Sequence, residues 1–321
     1  MTGYSTYVTY DDIYRAQRTI AGRVHRTPVI SSTYLSNRIG ARLYLKLESY
    51  QKTGSFKVRG LLNKLESLTE EQKANGVITF SSGNTAQALA YVASVAKIPA
   101  VVAMLTGGDP GKLEATRNYG AEVVLAEPLE IRNVTERLQK ERGLTYISPF
   151  DDLKVIAGAG TVGLEIMEDV PKADMVLVGI GGGGIVSGVA VAVKSQRPKA
   201  KVIGVEPEGA AAMSRSLEAS KVVTLDSVNT IADGLAAPFA GEHTLPHVQK
   251  FVDEVVIVTD DEIAEALLLV LERCKVLIEP AAASTVAALL TGKVKPAPDS
   301  NIVCVISGGN ISATKLKTLI N

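Results

Sequence analysis

The chain has little of what several classes of protein require. Its 321 residues include two cysteines, three histidines and no tryptophan. Cys274 and Cys304 lie in apolar surroundings, so we expect reduced core residues rather than a disulfide framework. The histidines, at positions 25, 243 and 247, are scattered and give neither a zinc-type cluster nor an evident Ser-His-Asp triad.

An excess of one charge is also missing, because 34 basic residues balance 34 acidic ones. The chain therefore shows no basic footprint for nucleic acid. Its apolar runs are broken by glycine or charge within a few residues, which argues against a membrane span. The N-terminal residues lack the basic and apolar regions of a signal peptide, so we expect a cytoplasmic protein.

Strand-like and helix-like patterns alternate along most of the chain. Many of the Val- and Ile-rich runs show no polar alternation, as expected for parallel strands buried on both faces. This predicts an α/β fold of open, mainly parallel sheets with helices on both faces. The predicted strands are 42–47, 76–80, 100–104, 122–125, 175–180, 201–205, 254–258 and 302–306. The predicted helices include 85–96, 112–119, 131–142, 160–169, 186–194, 260–275 and 282–290.

Lys57 is the first candidate for chemistry. It follows Gly54-Ser55-Phe56 and precedes a helical pattern over 58–65. A lysine at the start of a helix feels the positive end of the helix dipole, and partial burial can make its amine neutral. A neutral amine can form a Schiff base with an aldehyde. An ordinary surface lysine at a helix start fits this segment equally well.

A run of glycines is the second candidate. It follows the predicted strand 175–180 and opens a helical pattern, where backbone N–H groups bind phosphate and no β-carbon hinders a close approach. The run also matches G-x-G-x-x-G, with Glu206 at the spacing of a dinucleotide site. A nicotinamide-dependent dehydrogenase is therefore one alternative, and a tight turn without a ligand is another. The glycines are Gly181, Gly182, Gly183 and Gly184.

Two polar segments follow other predicted strands. The segment 80–87, FSSGNTAQ, gathers hydroxyl, amide and backbone donors at a helix start, which suits a carboxylate or a phenolate. An ordinary N-cap is the alternative. Ser307 follows the strand 302–306. Because ligands bind at the carboxyl ends of parallel strands, one site could contain both segments, the glycines and Lys57.

Together these segments resemble the fold-type II pyridoxal-phosphate enzymes, and within them the serine/threonine dehydratase and serine racemase branch. The resemblance covers nearly the whole chain and is carried by SYQKTGSFKVRG, SSGNTAQALAYVA, PFDDLKVIAGAGTVGLEIMEDV, GGGGIVSG, VIGVEPEGA, TIADGL and VISGGN. It implies two open, mainly parallel sheet domains of the tryptophan synthase β-like kind. A small mobile domain, 76–149, would be inserted in a large cofactor-binding domain, 1–75 and 150–321. A homodimer is the family expectation.

The resemblance also assigns roles to matching residues. Lys57 would hold pyridoxal 5′-phosphate and act as the catalytic base, and Ser82 would be the catalytic residue on the opposite face. The other cofactor-binding residues would be Phe56, Asn84, Gly181, Gly182, Gly183, Gly184 and Ser307. The substrate carboxylate would be bound by Ser81, Ser82, Asn84 and Thr85.

The implied activity is α,β-elimination from a β-hydroxy-α-amino acid, of the L-threonine or L-serine type, to a 2-oxo acid and ammonia. A neutral hydroxyl at Ser307 makes the pyridine ring a weaker electron sink than a carboxylate partner does, which favours elimination over transamination. Racemisation of an amino acid on the same scaffold is the nearest alternative.

Three positions depart from the family pattern. Thr85 stands where the family usually has histidine, and Ala159 where it has glutamine. Both changes predict room for a larger β-substituent, such as the phenyl group of phenylserine, with neutral drift as the alternative. Ala212 replaces an acidic residue of the metal-binding members, which weakens a divalent site. Glu206 and the carbonyl of Ala210 could still bind a monovalent or divalent cation.

Overall fold

The computed structural model describes residues 7–320, which form ten strands and fourteen α-helices. The strands are β1 (Val29–Ser31), β2 (Arg42–Leu47), β3 (Val77–Phe80), β4 (Ala100–Leu105), β5 (Glu122–Ala126), β6 (Thr145–Tyr146), β7 (Met175–Gly179), β8 (Lys201–Pro207), β9 (Glu254–Val258) and β10 (Asn301–Ile306). The helices are α1 (Tyr10–Ile20), α2 (Thr33–Ile39), α3 (Lys57–Glu66), α4 (Glu70–Asn75), α5 (Asn84–Ala96), α6 (Pro110–Asn118), α7 (Ile131–Arg142), α8 (Leu153–Asp169), α9 (Gly184–Gln196), α10 (Ala212–Ala219), α11 (Thr244–Phe251), α12 (Asp260–Cys274), α13 (Pro280–Leu290) and α14 (Ala313–Ile320).

Six strands form the larger sheet, in the order β1-β2-β10-β7-β8-β9. All neighbours are parallel except β1, which runs antiparallel to β2. Along β10, Val303 and Val305 pack in the core that α8 and α9 build, whereas Ile302 and Cys304 pack in the core of α12 and α13. Burial on both faces explains why this strand is apolar at every position.

Four parallel strands form the smaller sheet, in the order β5-β4-β3-β6. All four lie in sequence between β2 and β7 of the larger sheet, so the predicted insertion of one sheet unit in the other is confirmed. Its strands pack with α5 on one face and with α7 on the other. The domain bounds 76–149, and movement of this unit, stay predictions.

The predicted α/β fold class is confirmed, and each of the eight predicted strands is present with ends that differ by two residues or fewer. The prediction omitted the short strands β1 and β6. Both cysteines are free, as expected. Within residues 7–320, no helix combines the length and apolar character needed to cross a membrane.

The two sheets bring four chain segments together. Lys57 follows β2 by way of two 3₁₀ turns, and the serine segment follows β3 directly. The glycine run follows β7, and Ser307 follows β10. All four candidates therefore stand at or beyond carboxyl ends of parallel strands, where α/β proteins bind ligands.

Candidate active site

Lys57 is the first residue of α3, and its side chain is half-buried. Its Nζ donates a hydrogen bond to the carbonyl oxygen of Pro149 at 2.9 Å and lies 5.2 Å from the centroid of the Phe56 ring. Burial lowers the pKa of this amine to about 8, although the negative charge of Glu279 opposes the shift. The surface-lysine alternative is therefore wrong.

The segment before Lys57 is joined to the end of β10. The backbone N–H of Phe56 donates to the carbonyl oxygen of Ser307 at 3.1 Å, and Ser55 pairs with Gly308 in an antiparallel bridge. Ser307 is buried, at 7% exposed. These backbone bonds hold the segment that carries Lys57 beside Ser307, the residue predicted to face a ring nitrogen.

The glycine run forms a tight loop at the start of α9. Gly183 has φ of +96° and precedes the helix without any side-chain cap, so the first N–H groups of α9 have no partner inside the helix. A β-carbon on Gly182 would overlap the Phe150 ring. The carbonyl oxygen of Gly182 accepts from Thr244 Oγ1 at 2.6 Å, which fixes the loop from its other side.

The adjacent residues Pro149 and Phe150 connect the lysine to the glycine loop. The carbonyl of Pro149 accepts from Lys57, and the ring of Phe150 packs on Gly182. The Phe150 ring in turn lies 5.7 Å, centroid to centroid, from the ring of Phe239. The amine of Lys57 and the first N–H groups of α9 are thus held on the two sides of one short segment.

The serine segment does not cap its helix. Gly83 is the residue before α5, and the helix has no side-chain cap. Ser81 Oγ instead accepts from the N–H of Gly83 at 3.2 Å, and Ser82 Oγ accepts from the N–H of Leu105 in β4 at 2.8 Å. The N-cap alternative is therefore wrong, and the N–H groups of the first turn of α5 have no side-chain acceptor.

Asn84 connects this segment to the larger sheet. Its Nδ2 donates to Glu279 Oε1 at 2.8 Å, and its Oδ1 accepts from Asn310 Nδ2 at 2.8 Å. Asn310 Nδ2 also donates to the carbonyl oxygen of Thr53 at 2.7 Å. The backbone N–H of Glu279 donates to Gly308 at 3.1 Å. Asn84 is thereby tied both to the Lys57 segment and to the chain after Ser307.

Glu279 is a buried carboxyl group that was not predicted from the sequence. It is 5% exposed and immediately precedes α13, whose first residue is Pro280. Burial raises its pKa to about 7, while the positive charge of Lys112 and the hydrogen bond from Asn84 act in the opposite direction. A carboxyl group that titrates near neutrality inside a polar site is a frequent feature of functional sites.

Of the predicted cation ligands, Glu206 is the penultimate residue of β8 and Ala210 ends the 3₁₀ turn that follows the strand, and both are buried. The carboxylate of Glu206 accepts from the N–H of Met213 at 2.8 Å and from the N–H and Oγ of Ser214 at 2.8 and 2.6 Å. It thus binds the start of α10. Burial raises its pKa despite these bonds. Among residues 7–320 no cluster of three or more His, Cys, Asp or Glu side chains could hold a metal ion.

Two of the positions that depart from the family pattern differ in their surroundings. Thr85 is 3% exposed and stands in the first turn of α5, next to Asn84. Ala159 lies in the core between α8 and α9, with Val186 and Val189 as neighbours in the same cluster. The expectation that Ala159 faces the pocket is therefore wrong, because this side of α8 packs on a helix.

The predicted residues thus meet in one place, except for Glu206 and Ala210, which lie at the neighbouring strand β8. Residues that the prediction omitted complete the site: Pro149, Phe150, Gly234, Glu279 and Asn310. Several lie inside segments that carry the resemblance, such as Phe150 in PFDDLK, Gly234 in TIADGL and Asn310 in VISGGN. Glu279 had a weaker signal, a carboxylate directly before a proline that begins a helix.

Comparison with known proteins agrees with this arrangement. The model of the pyridoxal-phosphate dependent enzyme family matches residues 20–308. An L-threonine ammonia-lyase of Thermotoga maritima is 44% identical over 317 residues, which cover 98% of this chain and 78% of that protein. The catabolic L-threonine dehydratase TdcB of Escherichia coli K12 is 41% identical over 320 residues, or 98% of this chain and 97% of the relative.

A solved structure also matches nearly the whole chain. The structure of maize serine racemase superposes with a TM-score of 0.93 at 40% sequence identity, covering 98% of this chain and 97% of the racemase chain. The two chains therefore share the same overall fold.

Proposed function

The chain belongs to the fold-type II family of pyridoxal-phosphate-dependent enzymes, and we propose that it is an ammonia-lyase that dehydrates L-threonine or L-serine to a 2-oxo acid and ammonia. The observation that carries the proposal is the near-complete match to relatives named L-threonine ammonia-lyase or dehydratase, with Lys57 half-buried at the centre of the matching segments. The nicotinamide-dependent alternative is excluded by the family match.

The residues present fit the cofactor at three points. In the glycine loop, the Phe150 ring occupies the position that a side chain on Gly182 would take. The N–H groups at the start of α9 have no side-chain cap and suit a phosphate. Lys57 offers an amine with a pKa lowered to about 8. Ser55 Oγ, which is buried beside Gly308, has no hydrogen-bond partner among the described residues. An unpaired buried hydroxyl of this kind is consistent with a ligand or water in the site.

When bound, the cofactor supplies an electron sink that stabilises negative charge at the substrate Cα. Lys57 would hold the aldehyde group of the cofactor through its amine, and the same amine would be the base that takes the proton from the substrate Cα. A pKa near 8 leaves part of the amine unprotonated at neutral pH, as a base in this role requires. Ser307 would face the ring nitrogen, Phe56 the ring plane, and Asn84 the phenolic oxygen.

The substrate carboxylate is proposed to lie at the start of α5. The N–H groups of the first turn have no side-chain acceptor, and the helix dipole favours an anion there. Ser81 and Ser82 accept from backbone N–H groups, so their own hydroxyl protons are left to donate to a carboxylate. Asn84 and Thr85 complete this segment.

Racemisation is the second candidate, supported by the superposition on maize serine racemase. It requires an acid on the face opposite Lys57, and Ser82 is the residue we assign to it. Its Oγ accepts from Leu105 N at 2.8 Å, which holds the oxygen in place and leaves its proton available.

Incubation of the holoenzyme with L- and D-serine, L- and D-threonine, 3-hydroxyaspartate and phenylserine tests both candidates. We expect release of 2-oxo acid and ammonia from L-threonine or L-serine as the fastest reaction. The measurements are 2-oxo acid derivatisation and chiral chromatography of the remaining amino acid. Inversion faster than elimination on every substrate would replace the dehydratase by the racemase.

Four finer points belong to the proposal. Phenylserine is a further substrate, now supported by Thr85 alone. A monovalent or divalent cation binds at Glu206 and the Ala210 carbonyl, and its addition is expected to raise the melting temperature. The chain works as a homodimer, which sedimentation would test. Its location is the cytoplasm, and it has no nucleic-acid or membrane partner.

A further inference from the structure

Asn84 lies in a chain of hydrogen bonds that can run in one direction only. The carbonyl oxygen of Thr53 can only accept, so Asn310 must turn its Nδ2 toward it, at 2.7 Å. The same Nδ2 donates to Asn84 Oδ1 at 2.8 Å. Asn84 must therefore present its own Nδ2 to Glu279 Oε1, at 2.8 Å. The orientation of each amide follows from its neighbour, and the chain ends on a carboxyl group.

This geometry leaves one donor of Asn84 unused. A side-chain amide nitrogen carries two hydrogens, of which Glu279 takes one. The second hydrogen is available to a ligand in the site. A hydrogen bond to an ionised acceptor is stronger than one to a neutral group, and bonds in a chain polarise one another. The charge on Glu279 therefore acts on how Asn84 binds its ligand.

We propose that Glu279 is the positioning residue for the phenolic oxygen of the cofactor, because it holds the Asn84 amide with one N–H turned to the ring and alters that contact by its state of ionisation. This inference rests on the proposed function only in requiring that pyridoxal phosphate binds next to Asn84. It holds whether elimination or racemisation is the main reaction.

The surroundings of Glu279 allow it to change charge near neutral pH. Burial raises the pKa of the carboxyl group to about 7. Lys112 and Lys315 lower this pKa and Asp233 raises it. The charged groups that face it are Lys57 of α3, Lys112 of α6, Asp233 of the 3₁₀ turn before α11 and Lys315 of α14.

A small cavity lies beside this carboxyl group. Its volume is about 10 Å³, and Glu279, Lys112, Asp233 and Lys315 are among the residues that line it. A space of this size holds about one water molecule when polar groups surround it. Two of the lining residues, Asp233 and Lys315, form an ion pair of 2.7 Å and are partly exposed to solvent.

The test uses the holoenzyme and the visible absorption spectrum of its bound cofactor. In the wild type we expect the band to shift with a midpoint near pH 7, as Glu279 ionises. Glu279→Gln keeps an acceptor for Asn84 but carries no charge, so its band should not shift between pH 6 and 8. Glu279→Ala removes the acceptor, and its dissociation constant for pyridoxal phosphate should rise at least tenfold. Because Lys57 holds the cofactor, it does not titrate as a free amine in these spectra.

Glu262→Gln is the matched control. It removes the same charge from the first turn of α12, outside the site, and should leave the wild-type spectrum and its pH dependence unchanged. A Glu279→Gln spectrum that titrates like the wild type overturns the proposal, and this variant decides the matter if Glu279→Ala does not fold. If the wild-type protein binds no pyridoxal phosphate, the proposed function itself is refuted. Failure of the Glu279 proposal and failure of the proposed function are therefore distinguishable.

Discussion

Gly158 of α8 meets the backbone of Gly60 in α3 without any side chain between them. A β-carbon on Gly158 would lie 2.7 Å from the Cα of Gly60 and 2.6 Å from the carbonyl oxygen of Arg59. The two helices therefore cross at backbone contact, and the first turn of α3, which carries Lys57, is held at a fixed distance from α8.

Arg59, which is 1% exposed, strengthens this crossing with charge. Its guanidinium donates two bonds of 2.8 Å to Glu48 and bonds of 2.7 and 2.9 Å to Glu165. Arg59→Met should lower the free energy of unfolding by about 3–5 kcal/mol, because the buried Glu48 carboxylate loses the cation that faces it. Glu165 loses one of two cations and keeps Lys46 at 2.7 Å. Urea unfolding measures this. Arg15→Ala, at an exposed pair, should change it by less than about 0.5 kcal/mol, and equal effects would contradict the prediction.

Lys57→Ala should abolish both turnover and the visible absorption of bound cofactor, because the variant lacks the amine that we propose as covalent attachment and base. Activity should fall by at least about a thousandfold, with an unchanged circular dichroism spectrum. Lys64→Ala, on the same helix and paired with Asp152 at 2.6 Å, is the control and should keep both properties. Turnover in the first variant would remove Lys57 from the mechanism.

Capture of pyridoxal phosphate by the apoprotein should accelerate with pH. The pKa of Lys57 is lowered from 10.5 to about 8, so the protonated form dominates below pH 8 and the reactive amine above it. The rate should therefore rise about fivefold from pH 7 to pH 8 and level off above pH 9. Stopped-flow absorbance measures the rate. The reaction of pyridoxal phosphate with Nα-acetyl-lysine in solution should continue to accelerate toward pH 10.5. The same pH profile for the protein would contradict the prediction, because it would show that the Lys57 amine is exposed.

Gly182→Ala should weaken cofactor binding by more than about tenfold, since the added methyl group overlaps the Phe150 ring and must displace the glycine loop, which we propose binds the phosphate. Fluorescence titration of the apoprotein gives the dissociation constant. Gly111→Ala is the control, because the nearest atom to a β-carbon added there is a carboxylate oxygen of Asp109, at 3.2 Å, on a side chain that can move away. If both variants bind alike, the loop has more room than the structure describes.

The strands and the lysine were predictable because their signals are local. The run 302–306 is apolar at each position, and burial on both faces of a parallel sheet requires that pattern. Lys57 stands directly before a helix in a segment that resembles a known family. In contrast, β6 has two residues and β1 has three, too few for a period to be visible.

The hydrogen-bonded chain behind Asn84 was not predictable, since its members are far apart in sequence. Asn84 is separated from Glu279 by 195 positions and from Asn310 by 226. No helical or strand period relates such residues. The surroundings of Ala159 were unpredictable for a different reason. A family resemblance identifies the equivalent position in the sequence, but it does not show which face of α8 carries the side chain.

The place of β10 at the centre of the larger sheet constrains when the protein can fold during synthesis. β2 pairs with β1 on one side and with β10 on the other, and β10 begins at Asn301. At about 5–20 residues per second, the ribosome needs on the order of tens of seconds to deliver that partner. The backbone groups of β2 that later pair with β10 stay unpaired throughout this interval, so this edge of the nascent chain is open to pairing with another strand.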